Sequence, residues 1–308
     1  MAELKDEVQR QEARLGPFRD FRTAEGKASA LLAEGGRLLG ELHASRDGKR
    51  RAVRDDMTAL RMRLERLHAI TGYFNDNEAV RTALAQADIK LGQAALLSEA
   101  GELDESGRRL RETEGFLEEA QAVIGRRLER YLEPEMLRKW RTMADETIAV
   151  SRRTGGTALI VNKIERTLIV IRKGEATATY GIGLGKSGLS DKLYEGDGAT
   201  PEGKYRIIRK FPASAFYKAL LIDYPNGDDL RNLAEAKNRG AVPARVGAGG
   251  EIEIHGGGKD NLTRGCVGLE NADMDKVYKA AELGTPVTIV GALGVEGTIL
   301  VDIKAFGK

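Results

Sequence analysis

An all-helical N-terminal half followed by a mostly β C-terminal half is the fold class that the sequence predicts, and two domains suit a length of 308 residues. Three observations carry this reading. Apolar residues step by three and four from the N-terminus to about residue 150. After "SRRTGGT" (151–157) the apolar period becomes two. The segments beyond that junction are rich in Ile, Val, Thr and Tyr, and Gly, Pro or Asn bounds each of them. The expected division is a helical domain over 1–150 and a mostly β domain over 155–308.

Taken in order, Met57, Leu60, Leu64 and Leu67 mark one helical stripe, and Val80, Leu84, Ala87 and Leu91 a second. Leu117, Ala120, Ile124, Leu128 and Leu132 mark a third. Arg and Glu fill the positions between them, as on solvated helix faces. Gly16-Pro17 and Asp47-Gly48 read as breaks, and "GYFNDNE" (72–78) ends one helix and offers Asn75, Asp76 or Asn77 to cap the next. Gly101 closes that helix, Asp104 is a candidate cap, and Glu133-Pro134 suits a first turn. Four to six helices in antiparallel hairpins are expected. "ALLSEAGELDESGRRL" (95–110) has the cadence of a tetratricopeptide turn, but no 34-residue period surrounds it.

Strands are expected at "TALIVNK" (157–163), "RTLIVIRKG" (166–174), "ATATYGIG" (176–183), "KYRIIRKF" (204–211), "KALLIDYP" (218–225), "EIEIHG" (251–256), "TPVTIVG" (285–291) and "TILVDI" (298–303). One helix, "ADMDKVYKAAELG" (272–284), breaks the series, with Asn271 as its expected cap. "GLGKSG" (183–188) fits a glycine fingerprint for phosphates but leads into loop rather than helix, so a flexible turn is the expectation.

Charge excludes some classes of function. Residues 1–150 hold 26 Lys/Arg against 28 Asp/Glu and the remainder 23 against 19, too even for a nucleic-acid surface. One cysteine excludes an internal disulfide framework, and three scattered histidines argue against a zinc site, so neither metal nor cofactor is expected. No segment reaches the roughly 20 apolar residues that cross a bilayer. The start "MAELKDEVQRQEARL" lacks the apolar core of a signal peptide, which leaves a cytoplasmic protein and a mature exported form both open.

The candidate chemistry lies in "HGGGKDNLTRGCVGLEN" (255–271), which holds the only cysteine, Cys266, eleven residues after His255. His43 and His68 read as helix-surface or inter-helix residues. His255 ends an expected strand, where a side chain can be presented at a rim. Cys266 stands between Gly265 and Gly268, where bare backbone admits a ligand. A neighbouring imidazole can hold a thiol as a thiolate–imidazolium pair, and the carbonyl of Gly256 is placed to set the tautomer of the ring. The N–H groups of Arg264, Gly265 and Cys266 are candidates for an oxyanion hole. The reaction class is acyl transfer through a thioester.

"IEIHGG" followed by "TRGCVGLEN" and then Asp273 resembles the signature of the YkuD-type L,D-transpeptidases: a strand ending in His-Gly, then Ser/Thr-x-Gly-Cys before a helix. "GDGATPEGKYRI" (196–207) is similar to that family's Thr-Pro-x-Gly segment with an aromatic residue two places on, here Tyr205. "ALLIDYPNGDD" (219–229) looks most like its murein-processing branch. The resemblance covers about residues 157–291 and implies Cys266 as nucleophile, His255 as base and Gly256 as the orienting carbonyl. It puts Thr263, Tyr205 and Arg245 on the substrate side. Arg264 stands where many members have His, and Gly268 where an Arg is common, so Arg245 or Lys259 would have to recognise a carboxylate.

The resemblance implies a cysteine L,D-transpeptidase of the periplasm or cell envelope, taking peptidoglycan stem peptides through a meso-diaminopimelate thioester with release of D-Ala. Hydrolysis of murein or murein–lipoprotein links is a second expectation, and an inactive wall-binding scaffold a third. The helical half resembles nothing nameable. A partner-docking arm, for an envelope protein or lipoprotein, a spacer and a cap over the site are all open to it.

Overall fold

A computed structural model describes residues 1–14, 20–71, 78–295 and 300–301. The N-terminal half is helical: α1 (Ala2–Glu12), α2 (Arg22–Thr71), α3 (Glu78–Glu99), α4 (Leu103–Leu132) and α5 (Pro134–Thr154). The stripes noted above are its buried positions: Leu64, Leu67, Val80, Leu84, Leu117, Ala120, Ile124 and Leu128 are each 3% exposed or less. Asp47-Gly48 is not a turn but lies inside the 50-residue α2. The cost of about 1 kcal/mol for one helical glycine is smaller than the combined preference of the Ala, Leu, Arg and Lys around it. Pro134 does open α5, with Glu133 as its cap residue. The expected break at Gly16-Pro17 and the caps at 75–77 lie outside the described residues.

The second half is one eight-stranded sheet of β1 (Thr157–Asn162), β2 (Thr167–Arg172), β3 (Glu175–Gly181), β4 (Gly203–Ser214), β5 (Tyr217–Ile222), β6 (Glu253–His255), β7 (Val267–Gly268) and β8 (Pro286–Val290). Its spatial order is β3-β2-β1-β8-β4-β5-β6-β7. Seven of the expected strands are present. The expected strand at 298–303 falls mostly outside the described residues, and its two described members, Leu300 and Val301, are helical. Two helices accompany the sheet, α6 (Gly227–Asn238) and α7 (Asn271–Ala280). Only α7 is among the expected elements; α6 is not. Its start is a capping box in which the Asn226 side chain accepts from the Asp229 N–H and the Asp229 carboxylate accepts from the Asn226 N–H.

By contacts the chain divides into two compact units, Met1–Met62 with Asp88–Glu114, and Arg63–Ala87 with Gly115–Lys308. In the first, Lys49 pairs with Asp104 and Lys90 with Glu112, both at 2.7 Å. The second holds the sheet together with the end of α4 and all of α5, so it begins well before residue 155. The reason is packing. β1 is apolar without alternation because both of its faces are covered. Leu159 and Val161 enter the main core with β2, β4, β5, β8 and α7. Ala158 and Ile160 face the other way, onto Ala144 and Ile148 of α5. Thr147 and Thr288 share a hydrogen bond of 2.5 Å beneath that helix. Each fully buried Leu or Ile contributes about 1.5–3 kcal/mol, so residues such as Ile160 help to hold α5 on the sheet.

Candidate active site

β6 and β7 run parallel, with Ile254 opposite Val267 and His255 opposite Gly268. Side chains alternate along a strand, so Cys266, one step before Val267, shares the face of Glu253 and His255. The register thus brings the lone thiol and the imidazole to one side of the sheet edge as diagonal neighbours. Gly265 sets the approach: its φ is +139°, and a Cβ there would lie 2.6 Å from the Ala199 carbonyl oxygen.

His255 is 4% exposed and its ring lies 4.7 Å from that of Phe216. Its Nδ1 is 2.6 Å from the Gly256 carbonyl oxygen. A carbonyl only accepts, so Nδ1 carries the proton and Nε2 keeps a lone pair. Burial holds the pKa of the ring below its ordinary value, against the smaller raising effect of the Gly256 carbonyl. Substitution by Ala would therefore remove real packing.

The Cys266 sulfur accepts from the Glu253 N–H at 3.4 Å and donates to the Glu251 carbonyl at 3.7 Å. Burial pushes the thiol pKa up, and the carboxylates of Glu253 and Glu251 add to this. The Glu253 N–H and the Lys192 ammonium pull it down, with the smaller effect. A raised thiol and a lowered imidazole both favour the neutral forms. The thiol's hydrogen bonds run to main chain rather than to the ring. A direct check is alkylation of this single thiol by iodoacetamide. The rate is expected to climb through neutral pH and past the ordinary thiol value of about 8.5. A rate already at its plateau near pH 6 would show a stabilised thiolate instead.

The other expected site residues fare unevenly. The Gly265 N–H donates to Thr263 Oγ1 at 3.2 Å, and that hydroxyl donates to the Cys266 carbonyl at 2.7 Å. Thr263 is therefore a latch within the cysteine turn. Gly265 has no free N–H for an oxyanion, which leaves Arg264 and Cys266 of the three expected donors. Tyr205 is 2% exposed, and its hydroxyl donates to Asp229 at 3.0 Å. It is a core residue, and a substrate has no route to it. Arg245 is exposed on the loop between α6 and β6. Lys259 lies 3.7 Å from Glu270.

Several neighbours escaped the sequence reading. Asn271 is the first residue of α7 and not its cap, which is Glu270. Its side-chain oxygen instead accepts from the Gly257 N–H at 2.7 Å and anchors the turn after His255. Glu253 was findable, since a period of two puts it on the face of His255. "GLGKSG" is no loose turn. Gly183 and Gly268 exchange hydrogen bonds of 2.8 and 3.0 Å, and the Lys186 N–H donates to the Thr263 carbonyl at 3.1 Å. Gly185 passes so close that a Cβ would sit 2.2 Å from the Gly198 oxygen. Among the described residues no group of three or more His, Cys, Asp and Glu is arranged to hold a metal ion.

Residues 156–289 match the family model of YkuD, the L,D-transpeptidase catalytic domain. Among solved structures, the chain is similar to a point mutant of the helical cell shape determining protein Pgp2 of Campylobacter jejuni, at 24% identity and a TM-score of 0.33, over 49% of this chain and 55% of that one. It is similar to Bd1075 of Bdellovibrio bacteriovorus at 20% identity and a TM-score of 0.35, over 50% and 56%. It is also similar to L,D-transpeptidase 1 of Mycobacterium tuberculosis at 16% identity and a TM-score of 0.29, over 44% and 62%. The chain thus spans somewhat over half the length of each. No curated protein matches it.

Proposed function

We propose that this protein, whose residues 156–289 match the L,D-transpeptidase catalytic domain model of YkuD, acts in the cell envelope on peptidoglycan stem peptides through an acyl-enzyme on Cys266. The reading is supported above all by the strand register that puts the only thiol on the face of His255, whose Nδ1 is tied to Gly256 so that Nε2 is the basic nitrogen. In the reaction, the sulfur attacks the carbonyl at the L-centre of meso-diaminopimelate in a tetrapeptide stem. The thiol proton passes to His255 Nε2 as the carbon–sulfur bond forms. This transfer accompanies attack, as in general-base catalysis. The N–H groups of Arg264 and Cys266 take the charge on the oxygen, at about 3 kcal/mol for each donor. Collapse breaks the carbon–nitrogen bond, and the imidazolium returns its proton to the departing amine of D-Ala. An acceptor amine then attacks the thioester, gives its proton to Nε2 and restores the thiol.

Incubation with purified muropeptides, followed by mass spectrometry, tests the reaction. New stem-to-stem dimers are the expected product. Trimmed stems alone would make the enzyme a hydrolase, with water as the acceptor. A carbapenem should add one adduct to the wild type and none to Cys266→Ala; a wild type that resists acylation would leave the scaffold reading.

A further inference from the structure

The chain has one tryptophan and one cysteine, and a continuous set of contacts within the sheet-bearing unit runs from one to the other. Its hub is Glu202, in "TPEG", whose side chain is 4% exposed. The two Nη atoms of Arg130 donate to its two oxygens at 3.1 and 2.5 Å, and the Trp140 indole N–H donates at 3.0 Å. Lys163, whose side chain is fully buried, donates at 2.9 Å. Arg130 closes α4 and Trp140 lies in α5, so one carboxylate fastens both helices. The same side chains hold the segment before it. The Tyr131 hydroxyl donates to the Leu189 carbonyl at 2.7 Å, and Lys163 to the carbonyls of Ser190 at 2.6 Å and Thr200 at 2.7 Å. Thr200 Oγ1 in turn accepts from the Gly185 N–H at 3.0 Å. This segment is the wall of the cysteine turn: Gly265 rests on the Ala199 carbonyl, and Lys186 pairs with Thr263.

We propose that Glu202 is a positioning residue for Cys266. By clamping the end of α4 and the start of α5 onto residues 183–202, it fixes the wall against which the cysteine turn is set. The helices of this unit thereby become part of the catalytic apparatus rather than a detachable arm. Glu202 touches no reacting atom. Its effect runs through main-chain positions, where small displacements at a reacting centre are costly. A catalytic consequence rests on the function proposed above, but the reactivity of the thiol does not.

The test uses the full chain with Glu202→Gln, which keeps the shape and removes the charge that Arg130 and Lys163 share. Three readouts apply to folded protein, checked by circular dichroism: the iodoacetamide rate of Cys266 across pH, the emission of Trp140, and kcat and KM on muropeptides. The expected result is an alkylation profile displaced from wild type by about fivefold or more in rate, with kcat falling about 10- to 100-fold while KM holds. Alkylation of Cys266 should also change Trp140 emission in wild type and leave it unchanged in Glu202→Gln. Lys204→Gln, which breaks an exposed ion pair with Glu146 nearby, should alter none of these. If Glu202→Gln does not fold, Arg130→Gln, which leaves the Lys163 and Trp140 bonds in place, should shift the alkylation profile in the same direction to a smaller extent. A folded variant with lowered thermal stability but an unchanged profile would overturn the proposal. Should wild type transform no muropeptide, the function reading fails alone, and the alkylation and emission results still decide the role of Glu202.

Discussion

His255→Asn is expected to slow acyl-enzyme formation at Cys266 by about 10²- to 10⁴-fold, the usual contribution of a general base. Asparagine is the informative choice. Its side-chain amide can reproduce the Nδ1–H bond to Gly256 and offers nothing at the position of Nε2. The orienting contact survives and the base is lost, whereas alanine would also vacate the space beside Phe216 and confuse chemistry with packing. The pH profile carries a second expectation. Burial lowers the imidazole pKa, so the ring stays a neutral base into mildly acidic solution. Wild-type acylation should therefore fall off only below the ordinary histidine value of about 6.5, and that acid limb should vanish in the variant. Single-turnover mass spectrometry measures both. An asparagine variant within about threefold of wild type would remove His255 from the mechanism.

What the sequence disclosed follows a physical line between local and tertiary information. The strands were legible because their period and boundaries are local. Cys266 and His255 stood out as the sole thiol and the sole imidazole in a glycine-rich stretch. Helix α6 was hidden because its start, Tyr-Pro-Asn-Gly, reads equally as a turn, and only the spacing of Asn226 and Asp229 marked the cap. The partners of Tyr205 and Thr263 were hidden because a hydroxyl's partner is a tertiary fact: one bonds Asp229 and the other the Cys266 carbonyl. The contacts of α5 with the sheet were hidden for a related reason. The buried side of α5, with Trp140, Ala144, Thr147 and Ser151, announces an amphipathic helix. It does not announce that the covering surface is a sheet rather than another helix.

Lys163 is the sharpest instance, since it reads as the polar end of a strand and is in fact a fully buried ammonium. Lys163→Met is expected to cost about 3–5 kcal/mol, the range for removing one partner of a buried ion pair. Methionine fills nearly the same space, so loss of packing is a small part of this. The larger part is that the carbonyls of Ser190 and Thr200 lose this donor together, and Glu202 Oε1 keeps only its bond from Arg130. Burial lowers the lysine pKa, and the carboxylates of Glu202 and, to a smaller extent, Asp191 oppose it. The double variant Lys163→Met/Glu202→Gln should lose less than the sum of the two single changes, because the carboxylate left behind by the first is neutralised by the second. Urea unfolding followed by Trp140 emission reads this unit alone, and the single variant should move the midpoint by about 1–3 M. A loss below about 1 kcal/mol would mean that water or a rearranged main chain satisfies these oxygens, and the clamp on the cysteine wall would then be softer than the distances imply.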